Sequence, residues 1–188
     1  VFGVKNWDAY VRASDRAMFF GGLAGGGADA GSATGPWHEG VIFVDQAATY
    51  AGSTNAALVR GTWLTRSGLP SASYLSGVPV TTNANGVFSS AFISLYPALV
   101  LPAYRESIEW RAQVANLRRN HTAWTDDAGP QFSTVFSAGT TRSDWGGYHA
   151  DSLSSHPGDV TTFTSLLAMA AFGDERPALE GYHAYRRG

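Results

Sequence analysis

The residue types that do chemistry are concentrated in one stretch, HTAWTDDAGPQFSTVFSAGTTRSDWGGYHADSLSSHPGD, from His121 to Asp159. It holds five of the fifteen carboxylates, three of the five histidines and two of the six tryptophans, which makes it the first place to look for a site. It shows no sustained helical or alternating period and reads as a loop. Loops of this length inside a compact domain are functional or disordered. Trp124, Phe132, Phe136, Trp145 and Tyr148 argue against disorder, because disordered segments lack the aromatics needed for burial. The expectation is an ordered site loop.

Asp126-Asp127 is the sharpest acidic feature. Adjacent carboxylates are either a solvated turn or part of an acid pair. The surroundings favour a site: Trp124 precedes them, Gly129-Pro130 follows, and aromatics continue beyond. Sugar sites combine carboxylates with aromatic platforms, since sugar C–H faces stack on rings while hydroxyls need charged acceptors. Thr140 to Tyr148 repeats the theme with Asp144, Trp145 and Tyr148, and adds Arg142. That arginine would either pair with Asp144 or Asp126 or clamp an anionic group. His149-Ala150-Asp151 and His156 fit no familiar metal-ligand spacing. Ser152, Ser154 and Ser155 lie near His156, yet the chain has no GxSxG elbow.

Helical periodicities surround this stretch. The pattern predicts helices over 6–20, 54–67, 103–119 and 160–172, with a short one over 178–186. Pro102 suits a first helical turn, Pro97 interrupts the apolar run 88–96, Asp159 can cap the helix at 160, and Gly173 ends it. Residues 21–36 contain seven glycines but neither a GxGxxG nor a Walker ending, so they read as a flexible lid or linker. Trp37, His38 and Glu39 precede Val41–Val44, and Asp45-Gln46 follows that apolar run, either facing solvent or at a cavity wall. Between 68 and 87 a Pro-, Gly- and Ser-rich connection holds Leu75, Val78 and Val80 as a short extended piece, and Asn85-Gly86 marks a turn. The sum is an all-α class: helix pairs joined by long loops, as in part of an (α/α) toroid.

Composition narrows the function classes. The chain has 188 residues, enough for one domain with a proper core, and 44% of them are hydrophobic. A formal net charge of −2 and scattered arginines give no electrostatic footprint for nucleic acid. No run approaches the roughly 18 apolar residues of a membrane span. With no cysteines there are no disulfides, thiolate metal sites or thiol nucleophiles. The start at Val1, without Met, reads as a mature terminus or the interior of a longer protein.

Glu106-Ser107, Ala112-Gln113, Asn120 and Trp124-Thr125-Asp126-Asp127-Ala128-Gly129-Pro130 occur in an order that resembles the glycoamylase-like family. That family includes β-1,2-glucan hydrolases built as (α/α)6 toroids. Asp45-Gln46 after its apolar run is similar to a buried I-D-Q element of the same family. The resemblance covers residues 85–172; with the length, it leaves a single helical domain over 1–188 or a fragment of a larger toroid, which would associate with the rest of a chain or with itself. The absence of cysteine fits an exported protein as well as a cytosolic one, and the expectation is an extracytoplasmic protein, periplasmic or secreted.

The leading expectation is a glycoside hydrolase acting on a glucan-like polysaccharide with paired carboxylates and no cofactor or metal. One acid would protonate the leaving oxygen while the other activates water or attacks the anomeric carbon. Asp126, Asp127 and Asp144 are the catalytic candidates. Trp37, Glu39, Asp45, Gln46, Trp124, Arg142, Trp145, Tyr148 and Asp151 are the substrate-binding ones. The alternative is a non-catalytic glycan-binding or assembly module built on the same aromatic stretch.

Overall fold

A computed structural model describes residues 11–12, 17–19, 33–34, 64, 70–82, 86–129, 134–140 and 146–187. Residues 1–67 and 68–188 form two compact units. In the first, β1 (Val11–Arg12), β2 (Ala17–Phe19) and β3 (Ala33–Thr34) make an antiparallel sheet in that order, with Val11 opposite Met18 and Met18 opposite Thr34. The helix expected over 6–20 is therefore wrong where it can be compared. Its apolar residues suit either period, and strand pairing takes β-branched Val11 and aromatic Phe19 readily. Leu64 is helical, in line with the helix expected over 54–67.

The second unit opens with a hairpin of β4 (Ser71–Ser73) and β5 (Pro79–Thr81), Ala72 opposite Val80. This is the extended piece expected near Val78 and Val80. Helix α1 (Phe92–Val100) continues through Pro97, which was expected to interrupt the run. Pro97 gives up one helical N–H bond, but its carbonyl still accepts from Leu101 N at 2.8 Å. A short α2 (Pro102–Glu106) starts on Pro102 as expected. Ser107 is extended (φ −62°, ψ 126°), so the helix expected over 103–119 is divided there.

Helix α3 (Ile108–Ala128) is the central element. The Ser107 hydroxyl accepts from Trp110 N at 3.2 Å and caps its start. Gly129, at φ 69°, ends it, its N–H donating to Thr125 O at 2.9 Å. Nothing between Arg119 and Gly129 breaks a helix, so α3 carries on two turns beyond its expected end. His121, Trp124, Asp126 and Asp127 thus stand on a helix and not in a loop, which corrects the sequence reading.

Beyond α3, β6 (Ala138–Thr140) pairs antiparallel with β7 (Tyr148–Ala150), Gly139 opposite His149. A side chain at Gly139 would crowd Val160 and Thr162 to about 3 Å, so this glycine lets the 160–162 segment close on the strand. Helices α4 (Phe163–Ala170) and α5 (Arg176–Arg187) complete the unit and pack on each other. Thr162, not Asp159, caps α4, its hydroxyl accepting from Ser165 N. Gly173, at φ 83°, follows α4 as expected.

About half of the described residues are helical, but three small antiparallel sheets accompany them. The protein is mixed α/β, which overturns the all-α class and the toroid drawn from it. Short strands of two or three residues leave too little alternation in the sequence to be read.

The core of the second unit lies between α1, α3 and α4, where Leu95, Ala98, Trp110, Val114, Leu117, Leu166 and Met169 are buried. Tyr104 meets Trp110 edge to face at 4.6 Å, and Trp110 Nε1 donates to Ser94 O at 2.7 Å. Both ends of the indole are thereby used, which anchors α3 against α1.

Candidate functional site

Three amides on one stripe of α3 fix the hairpin. Gln113 Oε1 accepts from Thr81 N at 3.0 Å and from the Thr81 hydroxyl at 3.1 Å. Asn116 Nδ2 donates to Pro79 O at 2.9 Å. Asn120 accepts from Ser76 N and donates to Val78 O, both at 3.2 Å. Gln113 and Asn120 are two of the residues that carried the family resemblance. Here they hold backbone.

Further along α3, an aromatic cluster forms on its core side. Trp124 is half-buried and meets Phe136 edge-on at 4.7 Å and His156 at 5.3 Å. His156 lies flat on Phe136, with ring centroids 4.2 Å apart and planes 3° from parallel. Its Nδ1 bonds Asp159 Oδ1 at 2.9 Å. Asp159 has φ 47°, a left-handed conformation that aspartate tolerates and that turns its carboxylate back toward His156.

Beneath this cluster His121 is 1% exposed. Its Nδ1 donates to Leu117 O at 2.9 Å, leaving Nε2 buried with no hydrogen-bond partner among the described residues. Burial pushes its pKa down to about 4, outweighing the Leu117 bond, which acts the other way; the charges of Arg118 and His156 add to the lowering. At physiological pH His121 is a neutral ring packed on Phe136 at 5.6 Å.

Asp151, expected to touch substrate, is fully buried. Its backbone N–H donates to Ser137 O, and Ser137 N donates to Val160 O, each at 2.9 Å. Its Oδ2 reaches across Ser137 to accept from Val160 N at 2.7 Å. Asp151 ties three backbone segments together through its backbone and Oδ2, while its Oδ1 is buried with no hydrogen-bond partner among the described residues. Tyr148 is 67% exposed on β7.

Asp126 and Asp127 are both exposed in the last turn of α3. Neighbours on a helix leave its axis about 100° apart, so the pair does not converge on one point. Asp126 lines a shallow pocket of about 350 Å³ that it shares with Arg118, Arg119, Thr122, Asp174 and Arg176. Asp174 accepts from Arg118 Nε at 3.0 Å. Trp37, Glu39, Asp45, Gln46, Arg142, Asp144 and Trp145 lie outside the described residues, as does most of the glycine-rich stretch 21–36. Among the described residues, no three His, Asp or Glu side chains are placed to hold a metal ion. Nor is any described helix long and apolar enough to cross a membrane.

No protein-family model matches the chain. No curated protein and no solved structure is significantly similar to it. The glycoamylase-like resemblance therefore stands on the quoted residues alone.

The reading of the sequence passed over the His156–Asp159 pair and the Arg118–Asp174 pair. The first had a signal, a histidine and a carboxylate three residues apart in a turn-rich segment. The second joins residues 56 positions apart and had none. The amide stripe had a signal in Gln113, Asn116 and Asn120 at helical spacing, but it went unread because the helix was expected to end at 119.

Proposed function

We propose that this chain is a glycan-binding module of a carbohydrate-active protein. The observation that carries the reading is the Trp124–His156 surface over Phe136, with Asp159 held against the imidazole. Flat ring faces receive the C–H face of a sugar, and a carboxylate beside them accepts its hydroxyls. Binding is the reading that the described residues support. Paired-carboxylate cleavage requires two acids facing one bond at roughly 5–9.5 Å. Among the described residues, Asp126 and Asp127 diverge and do not form such a pair with each other; Asp144, the acid expected opposite them, lies outside those residues.

The test is calorimetric titration of the intact chain with soluble β-glucans, beside a reducing-sugar assay. Saturable binding without sugar release is expected, and His156→Ala should weaken it about tenfold or more while the far-UV dichroism is unchanged. Sugar release abolished by Asp126→Asn would restore the hydrolase reading. Absence of binding to every glucan tried, with intact fold, would remove the carbohydrate reading.

A further inference from the structure

Helices α1 and α4 carry no charge on any side. No charged residue occurs at 67–104 or at 160–173, and the two helices fall within those stretches. A helix that is apolar all round belongs in an interior, since no side of it favours water. Here the inner sides are buried through Leu95, Ala98, Leu166 and Met169, while the outer sides are exposed. Leu99 and Val100 on α1 are 46% and 49% exposed, and Phe163 and Leu167 on α4 are 51% and 53% exposed. These residues belong to one face. Phe92, Tyr96, Leu99 and Val100 recur at helical spacing along α1, and the Phe92 and Tyr96 rings meet at 5.4 Å. The Tyr96 hydroxyl lies 3.4 Å from the Thr164 hydroxyl, which joins this stripe to α4. There Phe163, Thr164 and Leu167 share an arc of about 100°. The polar contact in the middle of the face is thus made within the face. Its half-exposed side chains offer on the order of 500 Å² of uncharged surface, at the upper end of the patches that monomeric proteins show.

We propose that this face joins two copies of the chain in a twofold dimer. In a twofold interface the same patch serves both partners, so a charge near the axis meets its own like. This face has none, and it closes on its copy without burying an ion or opposing like charges. The area agrees: two such faces with a polar rim bury about 1,200 Å² in total, where specific association begins. Charges of both signs come just beyond the helix ends, Arg105 with Glu106 and Glu175 with Arg176, all exposed, and they supply that rim. A nucleic acid or an acidic peptide finds no cation on the face to pair with. A membrane surface needs basic residues among the apolar ones to hold head groups, and these are missing too. The inference involves no residue of the Trp124–His156 surface and stands apart from the glycan reading.

The experiment is analytical ultracentrifugation of the intact chain over a dilution series, with Leu99→Glu and Leu167→Glu as variants. A monomer–dimer equilibrium is expected, weakened about tenfold or more by either variant, since each sets a charge into a closing apolar face. Raised salt should leave the parent's equilibrium unchanged or tighten it, as for apolar contact. Both positions are exposed in the single chain, so the far-UV dichroism of the variants should match that of the parent. A parent that is monomeric at the highest concentration it reaches overturns the proposal. So does a dimer that both variants leave intact, or one that salt dissociates. A second measurement does not depend on the glutamate variants folding. The chain has no cysteine, so Thr164→Cys introduces a single thiol on the face and Ser154→Cys a single thiol at an exposed position outside α1 and α4. The maleimide reactivity of the first should fall as the chain is concentrated, while that of the second stays constant. Equal behaviour of the two thiols overturns the proposal.

Discussion

His156 lies parallel to Phe136 at 4.2 Å and is held there by its bond to Asp159. One face of the imidazole is spent on packing, and the carboxylate fixes which way the ring turns. A side chain so constrained loses little freedom when a ligand settles on it. Replacing Asp159 by Ala should therefore weaken glycan binding less than His156→Ala does, and chiefly by speeding dissociation. Surface plasmon resonance on the two variants checks the order, and the reverse order would count against His156 as the contacting ring.

Stability should fall on mild acidification because of His121. Its folded pKa, about 4, lies below the ordinary 6.5, so between these values the unfolded chain binds the extra proton. The stabilisation is complete above about pH 6.5 and is lost as pH falls toward 4, on the order of 3 kcal/mol for a shift of this size. Urea midpoints at pH 7 and pH 5 measure it. His121→Gln should flatten the difference, and an unchanged slope in that variant would place the acid sensitivity elsewhere.

Asn120→Ala should cost about 1–3 kcal/mol, because it strips partners from Ser76 N and Val78 O where α3 meets the hairpin. Asn116→Ala removes a single exposed bond to Pro79 O and should cost less, about 1 kcal/mol or below. Thermal melting of the two variants decides whether the amide stripe fixes the hairpin or merely accompanies it.

Asp127 stands exposed in the last turn of α3, where no basic residue offsets the negative end of the helix. Asp127→Asn should raise stability by about 0.3–1 kcal/mol at low ionic strength, and the gain should shrink in high salt. A catalytic carboxylate would instead show its replacement in turnover. Denaturation at two salt concentrations, run beside the sugar-release assay, separates the two roles.

Much of the helical frame was legible from residue types. Pro102 and Gly173 mark ends in the sequence and do so in the structure. The end of α3 was misread because Asn120, His121 and Thr122 are weak helix formers. Local preference counted less there than burial: Asn120 and His121 are both inside, and each is tied to the carbonyl four residues back. The Asp159 cap failed for a similar reason, since His156 engages that carboxylate and Thr162 takes its place.

What the sequence alone determined was where helices run in the second unit, at 103–119 and 160–172. It did not determine which side chains they bury: Ile108, Phe163 and Leu167 are exposed. Apolar residues at helical spacing favour a helix, but which of them leave water depends on what packs against it. The tertiary structure alone decided which polar residues became scaffold and which stayed at the surface. Asp151 and Asp126 are the same residue type in one stretch, yet Asp151 braces Val160 N in the interior while Asp126 lines a shallow surface pocket. A carboxylate is costly to bury unless an N–H donor meets it, and that donor comes from a segment whose position no local pattern encodes. The pairing of Arg118 with Asp174 has the same origin: the two meet only because α4 folds back beside α3.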